Sequence, residues 1–207
     1  MPLVHMAEML HHAYENHYAV GAFDVVSLDF ISGVIAAAEE KQAPVIISLA
    51  ESHFEYFEYF EYFEYFEYFE YFDFELLMAA VVRAAERSTI PVAIHLDHGE
   101  SLESAIRAVN MGCTGIMVDA SNLPLDENIA QTRAVVDMAH ACGIPVEGEL
   151  GYVPGVEGED AERHPGDIQY TTVEEARRFI DETGADFLAV SIGKVHGRMK
   201  GKAEAGY

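Results

Sequence analysis

Val92-Ala93-Ile94-His95-Leu96-Asp97-His98-Gly99-Glu100 is an apolar, β-branched run that stops at a histidine followed by glycine. Leu188-Ala189-Val190-Ser191-Ile192-Gly193-Lys194-Val195-His196-Gly197 ends in the same way. A histidine where a buried strand meets a loop offers a ring nitrogen to a metal while the strand fixes its position. Two such endings in one chain point to a mononuclear metal site at the C-terminal mouth of a parallel α/β barrel, the face on which such folds keep their chemistry.

Outward from these runs the chain alternates between strand and helix. Short β-rich runs are expected at residues 19–25, 44–49, 91–96, 115–118, 145–150 and 187–192. Amphipathic stretches at 28–41, 76–87, 102–111, 128–140 and 173–183 separate them, and a helix over 6–15 opens the chain. This order predicts a parallel sheet with right-handed crossovers. Pro44, Pro91 and Pro145 suit the first residue of a strand, where no ladder donor is lost.

Six βα-type strands fall short of the eight that close a TIM-type (β/α)8 barrel in about 250 residues. The chain stops in a polar run, Lys202-Ala203-Glu204-Ala205-Gly206-Tyr207, just past the sixth strand. The expectation is one incomplete barrel domain over residues 1–207 that lacks its C-terminal part and leaves two bare sheet edges. The competing fold is a complete open sheet, whose hallmark is a glycine-rich phosphate turn after the first strand. Phe23-Asp24-Val25-Val26-Ser27 has no such turn.

Residues 54–72 are a low-complexity segment built on six copies of Phe-Glu-Tyr. A period of three matches neither a helix nor a strand, so it keeps its glutamates on one face of neither. The segment reads as an expanded short repeat inserted in a surface loop. The functional alternative is an aromatic lid over the barrel mouth, and in an extended form the repeat is an aggregation risk.

The formal charge of −24 argues against nucleic acid or an anionic membrane surface as the partner. Glu55, Glu58, Glu61, Glu64, Glu67 and Glu70 of the repeat carry part of that charge, so the remainder is less extreme. Cys113 and Cys142 stand alone, without CxxC spacing, fit a reducing cytoplasm, and read as small buried hydrophobes rather than catalytic thiols. The N-terminus lacks a signal-peptide pattern, and no apolar run approaches the ~20 residues of a membrane helix.

Several polar residues sit where the pattern expects strand ends. Asp97 and His98 are adjacent and point opposite ways on a regular strand, so both reach one site only where the strand turns, which Gly99 would allow. The plain alternative makes Asp97 a cap for the helix at 102–111 and leaves His98 merely exposed. His95, on the face of Asp97, reads as an interior packing residue. Glu147 and Glu149 share one face of a strand expected to be buried. An unpaired buried carboxylate costs several kcal/mol, so each needs a cation, a metal or a proton. Asp119 ends another strand, and with Glu149 and His98 it could form a metal position, or it could cap the next helix. The acidic, glycine-punctuated loop from Tyr152 to Asp160 suits a mobile lid with a general base, or a solvated loop.

Taken together, His-Leu-Asp-His-Gly (95–99), Met-Val-Asp-Ala-Ser (117–121), Val-Glu-Gly-Glu-Leu-Gly (146–151) and Ser-Ile-Gly-Lys-Val-His-Gly (191–197) resemble the class II, zinc-dependent ketose-bisphosphate aldolases. Val20-Gly21-Ala22-Phe23-Asp24 resembles that family too, and the likeness covers the chain apart from the repeat. It implies reversible cleavage of fructose 1,6-bisphosphate to dihydroxyacetone phosphate and glyceraldehyde 3-phosphate, a step of glycolysis and gluconeogenesis, with tagatose 1,6-bisphosphate as the alternative substrate. By the same likeness, His98 and His196 match zinc ligands, and Asp119 and Glu149 match positions that hold a displaced or second metal. Asp97 matches the acid that exchanges a proton with the substrate oxygen. Glu157 matches the loop residue that moves the proton next to the carbonyl. Gly197 matches a backbone contact to the ketose phosphate or to a nearby K+ or Na+. Asp24 stands near the substrate where the family usually has Asn. The implied partners are phosphorylated sugars and further copies of the chain, in the cytoplasm.

The sequence departs from the family pattern in places. The third zinc histidine and the phosphate loops belong to strands seven and eight and are not in this sequence. Catalytic zinc normally has three protein ligands, so the 207-residue chain is expected to bind zinc poorly and turn over little. Lys194 stands where a small polar residue is usual, and Ala50 lacks a hydroxyl often found after the second strand. Two rival readings follow. Lys194 could be the nucleophile of a Schiff-base aldolase, which would leave Asp97, His98 and the Glu147/Glu149 pair unexplained. Alternatively, the chain could be an inactive fragment with no turnover.

Overall fold

A computed structural model describes residues 2–52, 74–152 and 169–192. The order is α1 (Met6–Glu15), β1 (Gly21–Asp24), α2 (Leu28–Lys41), β2 (Val45–Ala50), α3 (Phe74–Arg87), β3 (Val92–Gly99), α4 (Leu102–Met111), β4 (Gly115–Val118), α5 (Leu125–Ala141), β5 (Val146–Leu150), α6 (Val173–Thr183) and β6 (Phe187–Val190). The strands form one sheet in the order β1-β2-β3-β4-β5-β6, and every neighbouring pair is parallel.

The helix starts are set by local chemistry. The hydroxyls of Ser27 and Ser101 accept from the amides of Phe30 and Ser104. Thr172 and Glu175 form a reciprocal capping box at the start of α6. Ser101 thus takes the capping role that sequence pattern allowed for Asp97. Pro124 stands at the N-cap of α5, so that helix begins at Leu125, three residues before the expected start, and Asp119 does not cap it. Pro44, Pro91 and Pro145 each lie one residue ahead of their strand rather than inside it.

The two faces of the sheet are covered differently. Ile47, Ile94, Leu96, Ile116, Val118 and Val146 pack in one cluster with Leu77, Val81, Ala105, Val135, Ala139 and Phe179 of the helices. Helices α2 to α6 therefore lie on this face. A doubly wound sheet would carry them on both, so the sheet is an arc of a barrel. Each fully buried aliphatic side chain here contributes about 1.5–3 kcal/mol.

The register places Ala93, His95 and Asp97 on the opposite, inner face, with Ile46, Ser48 and Ala50 beside them. Glu147 and Glu149 share that face across β4. Its lower end is plugged by α1, whose Met6 and Met9 pack on Ile46 and Ala93. Above that plug the inner face is polar. The sheet edges are β1 and β6, and Phe23 on β1, Val190 on β6 and Ile192 just beyond β6 are exposed. Among the described residues, no helix is long and apolar enough to cross a membrane.

Candidate metal centre at the strand ends

His98 should by strict alternation lie with Leu96 on the helix-covered face. It does not, because β3 and β4 are out of step there. Leu96 pairs with Ile116 and Gly99 with Val118, so three steps along β3 match two along β4. The extra residue makes a bulge, a device that re-aims a side chain. His98 itself adopts φ 47°, in the left-handed region that costs a non-glycine residue about 1 kcal/mol or more. The expectation that Gly99 makes the turn is thus corrected: His98 turns, and β3 continues through Gly99. Glycine is needed at 99 for a different reason. A Cβ there would lie 2.7 Å from the Met117 carbonyl oxygen and 2.7 Å from Leu96 Cδ2.

The bulge brings His98 Nδ1 to 2.8 Å from Asp119 Oδ2 and 3.9 Å from Glu149 Oε2. Asp119 is steadied from behind, since its Oδ1 accepts from the Ser121 amide at 2.9 Å and its own amide donates to Gly99 O at 2.8 Å. Glu149 is buried, whereas His98 and Asp119 are partly exposed. One ligand atom from each of His98, Asp119 and Glu149 lies within 4.8 Å of the other two. One imidazole nitrogen and two carboxylate oxygens are ordinary donors for Zn2+ and for other divalent ions, so the residues present fit a metal. Asp97 ends the inner row of β3 opposite Ala50 and acts electrostatically on both His98 and Glu147.

The charges respond to this crowding. Burial pulls the His98 pKa down, but the hydrogen bond to Asp119 and the charges of Asp97, Asp119 and Glu149 outweigh it and raise it to about 9. Burial pushes Asp119 up, and the hydrogen bonds from His98 and Ser121 overcome that and hold it below the usual carboxylate range. One level below, His95 Nε2 lies 3.5 Å from Glu147 Oε2. Burial, then the His98 charge, lowers His95 to about 4, so it is neutral at neutral pH and this contact is not an ion pair. Burial and the Asp97 charge raise Glu147 to about 7 against the opposing pull of His98. The two strand carboxylates therefore find different solutions: Glu149 meets a histidine cation, and Glu147 is pushed toward holding a proton. No Arg or Lys partner takes part among the described residues.

Asp24 ends β1 at the level of Ser48, which pairs with His95, so it sits on the inner row below the metal-type cluster. Glu157, Lys194, His196, Gly197 and residues 54–72 lie outside the described residues. Sequence pattern alone missed Asn128, Thr132 and Thr171, polar side chains that fasten the end of β5. A buried Asn and Thr four apart on one helix face were the available signal.

Known proteins share the sequence and the fold of this chain. The family model for class II fructose-bisphosphate aldolase matches residues 4–205. A probable fructose-bisphosphate aldolase of Bacillus subtilis (strain 168) is 39% identical over 209 residues, spanning 100% of this chain and 67% of that protein. The fructose-bisphosphate aldolase of Thermus caldophilus is 40% identical over 200 residues, spanning 97% of this chain and 60% of its own length. Among solved structures, the YdjI aldolase from Escherichia coli K12 superposes with a TM-score of 0.74 at 35% identity, over 93% of this chain and 63% of that one. A putative fructose-1,6-bisphosphate aldolase from Coccidioides immitis gives 0.77 at 30% identity, over 93% and 62%. The chain thus spans about two thirds of the length of its relatives. Six parallel strands with an inner polar mouth and a match over nearly every residue lead to one conclusion: this chain belongs to the class II fructose-bisphosphate aldolase family.

Proposed function

We propose that the protein catalyses zinc-dependent, reversible aldol cleavage of fructose 1,6-bisphosphate to dihydroxyacetone phosphate and glyceraldehyde 3-phosphate. The observation that carries this reading is the convergence of His98, Asp119 and Glu149 at the strand ends, with Asp97 beside them. His98, Asp119 and Glu149 are the residues that would hold the metal, joined by His196 from the chain beyond β6. Bound zinc supplies Lewis acidity toward the substrate carbonyl.

The remaining steps belong to this chain's own groups. In the cleavage direction Asp97 takes the proton of the C4 hydroxyl as the C3–C4 bond breaks. The electron pair left at C3 takes a proton from Glu157, and the same two groups run in reverse for condensation. Gly197 offers backbone to the ketose phosphate or to a monovalent cation beside it. Asp24 faces the substrate end of β1. A cytoplasmic homo-oligomer is the natural setting for such an enzyme.

The test is release of dihydroxyacetone phosphate from fructose 1,6-bisphosphate, with tagatose 1,6-bisphosphate run in parallel. Support is turnover abolished by EDTA and restored by Zn2+, and a loss of at least a hundredfold in Asp97→Asn with zinc binding retained. Chelator-resistant cleavage with a borohydride-trapped adduct on Lys194 would overturn it in favour of Schiff-base chemistry. No turnover of either sugar at any zinc concentration would mark the 207-residue chain as non-catalytic.

A further inference from the structure

The end of β5 stays paired with β6 through Leu150, but on its β4 side it is held by side chains rather than by the sheet. Val118 of β4 pairs with Gly148, the last rung between those strands, so the carbonyl of Glu149 lies beyond the ladder. The side-chain amide of Asn128, on α5, donates to that carbonyl at 2.9 Å. Asn128 is only 1% exposed, and its Oδ1 accepts from Thr132 Oγ1 at 3.0 Å, with Thr132 at 0% exposure. The next carbonyl, Leu150 O, accepts from Thr171 Oγ1 and from the Ser191 amide. Thr171 Oγ1 in turn accepts from the Ser191 amide at 2.9 Å, and the Thr171 amide donates to Ser191 O at 3.1 Å.

Two consecutive carbonyls are therefore gripped from opposite directions, one by a helix behind the sheet and one by the chain returning after residue 168. Gly151 completes the junction. It has φ 84°, and a Cβ there would lie 2.5 Å from Gln169 O and from Ser191 Cβ. Burying Asn128 and Thr132 costs desolvation that an apolar pair would avoid. The chain would keep such a network where the direction of one side chain matters, and Glu149 is the side chain whose backbone it holds.

We infer that Asn128, through Thr132, and Thr171 are positioning residues that fix the direction of the Glu149 carboxylate toward His98 and Asp119, and so set the affinity of the site for a divalent metal. The inference rests on the metal-site reading above. A backbone rotation of some ten degrees at Glu149 moves its carboxylate by a good fraction of an ångström, enough to spoil a site whose ligand distances tolerate about 0.2 Å. Partners one step behind a metal ligand typically govern 10- to 100-fold in metal affinity.

The experiment titrates the full chain with Co2+ and reads its visible absorption, with far-UV circular dichroism as the check on folding. Thr171→Val and Asn128→Ala are expected to weaken Co2+ binding about tenfold and to change the absorption envelope. Thr171→Ser, which keeps the hydroxyl, is expected to restore both. Thr132→Val keeps side-chain shape and removes only the bond to Asn128, so it gives the same answer should Asn128→Ala not fold. Folded Thr171→Val and Thr132→Val proteins with parental affinity and spectrum would overturn the inference while leaving the metal reading intact. A parent chain that binds no Co2+ would overturn both.

Discussion

His98 Nδ1 stands 2.8 Å from Asp119 Oδ2, and the extra residue that β3 carries against β4 places it there. Without the bulge, His98 would point into the helix-covered core beside Leu96, and the imidazole would face aliphatic side chains instead of carboxylates. The site thus depends on one local irregularity in an otherwise regular sheet.

That dependence can be probed at Gly99. A methyl group there would meet the Met117 carbonyl and the Leu96 side chain, both at 2.7 Å. Gly99→Ala is expected to destabilise the fold by about 1–3 kcal/mol. Gly33, in the middle of α2, has nothing within 4 Å of such a methyl. Gly33→Ala is therefore expected to stabilise by about 0.5–1 kcal/mol. Urea denaturation of the two variants checks the pair, and equal shifts of the same sign would refute the steric account.

Metal should couple to stability, because the three donors converge only in the folded chain. Zinc at a hundredfold excess over its Kd should add about 2.7 kcal/mol and raise Tm by roughly 5–10 °C, with EDTA reversing the gain. Asp119→Asn should cut zinc affinity by at least tenfold, since it removes a charged donor that also orients His98. Differential scanning calorimetry with and without zinc reads both effects. A Tm blind to zinc would count against the cluster as a metal site.

The two thiols should separate cleanly. Cys113 is buried, and burial pushes its pKa up to about 12, whereas Cys142, expected to be buried too, is exposed at the C-cap of α5. In the native protein at pH 8, a disulfide reagent should titrate one thiol, lost in Cys142→Ser. The second should appear only in denaturant. Two fast-reacting native thiols would contradict the packing of Cys113.

The capping box of α6 offers a measurable cost. Thr172 Oγ1 accepts from the Glu175 amide at 3.2 Å, and the Glu175 carboxylate accepts from the Thr172 amide at 3.1 Å. Thr172→Ala should cost about 1 kcal/mol, and Thr172→Ser should recover most of it. Chemical denaturation of the two variants decides the point, and an unchanged midpoint for Thr172→Ala would show that this helix end needs no cap.

Much of the architecture was legible in the residues. The β-branched runs, the amphipathic spacing between them and their strict alternation specify parallel strands with crossover helices, and the boundaries of α1, α2, α4, α6 and β4 match the periodicity to the residue. The helix α5 starts at Leu125, three residues ahead of its apolar pattern, with Pro124 at the N-cap and no side-chain cap. The inner position of Glu147 and Glu149 was legible too, because alternation assigns them a face once the strand is known. The grouping of His98 with Asp119 and Glu149 stood among the readings of the strand ends, whereas the contact of His95 with Glu147 was not legible, because a pairing across strands follows from register and not from spacing.

What the sequence by itself determined is thus the inventory and the periodicity: which runs are strands, which faces are apolar, and which polar residues stand near strand ends. The tertiary structure alone decided that His98 turns inward, that it meets Asp119 and Glu149, and that Asn128 and Thr171 grip the carbonyls of Glu149 and Leu150. The physical reason is that periodicity is a property of neighbours along the chain. A bulge, a left-handed φ and a hydrogen bond over 21 residues are settled only when separate segments compete for the same space and the same donors.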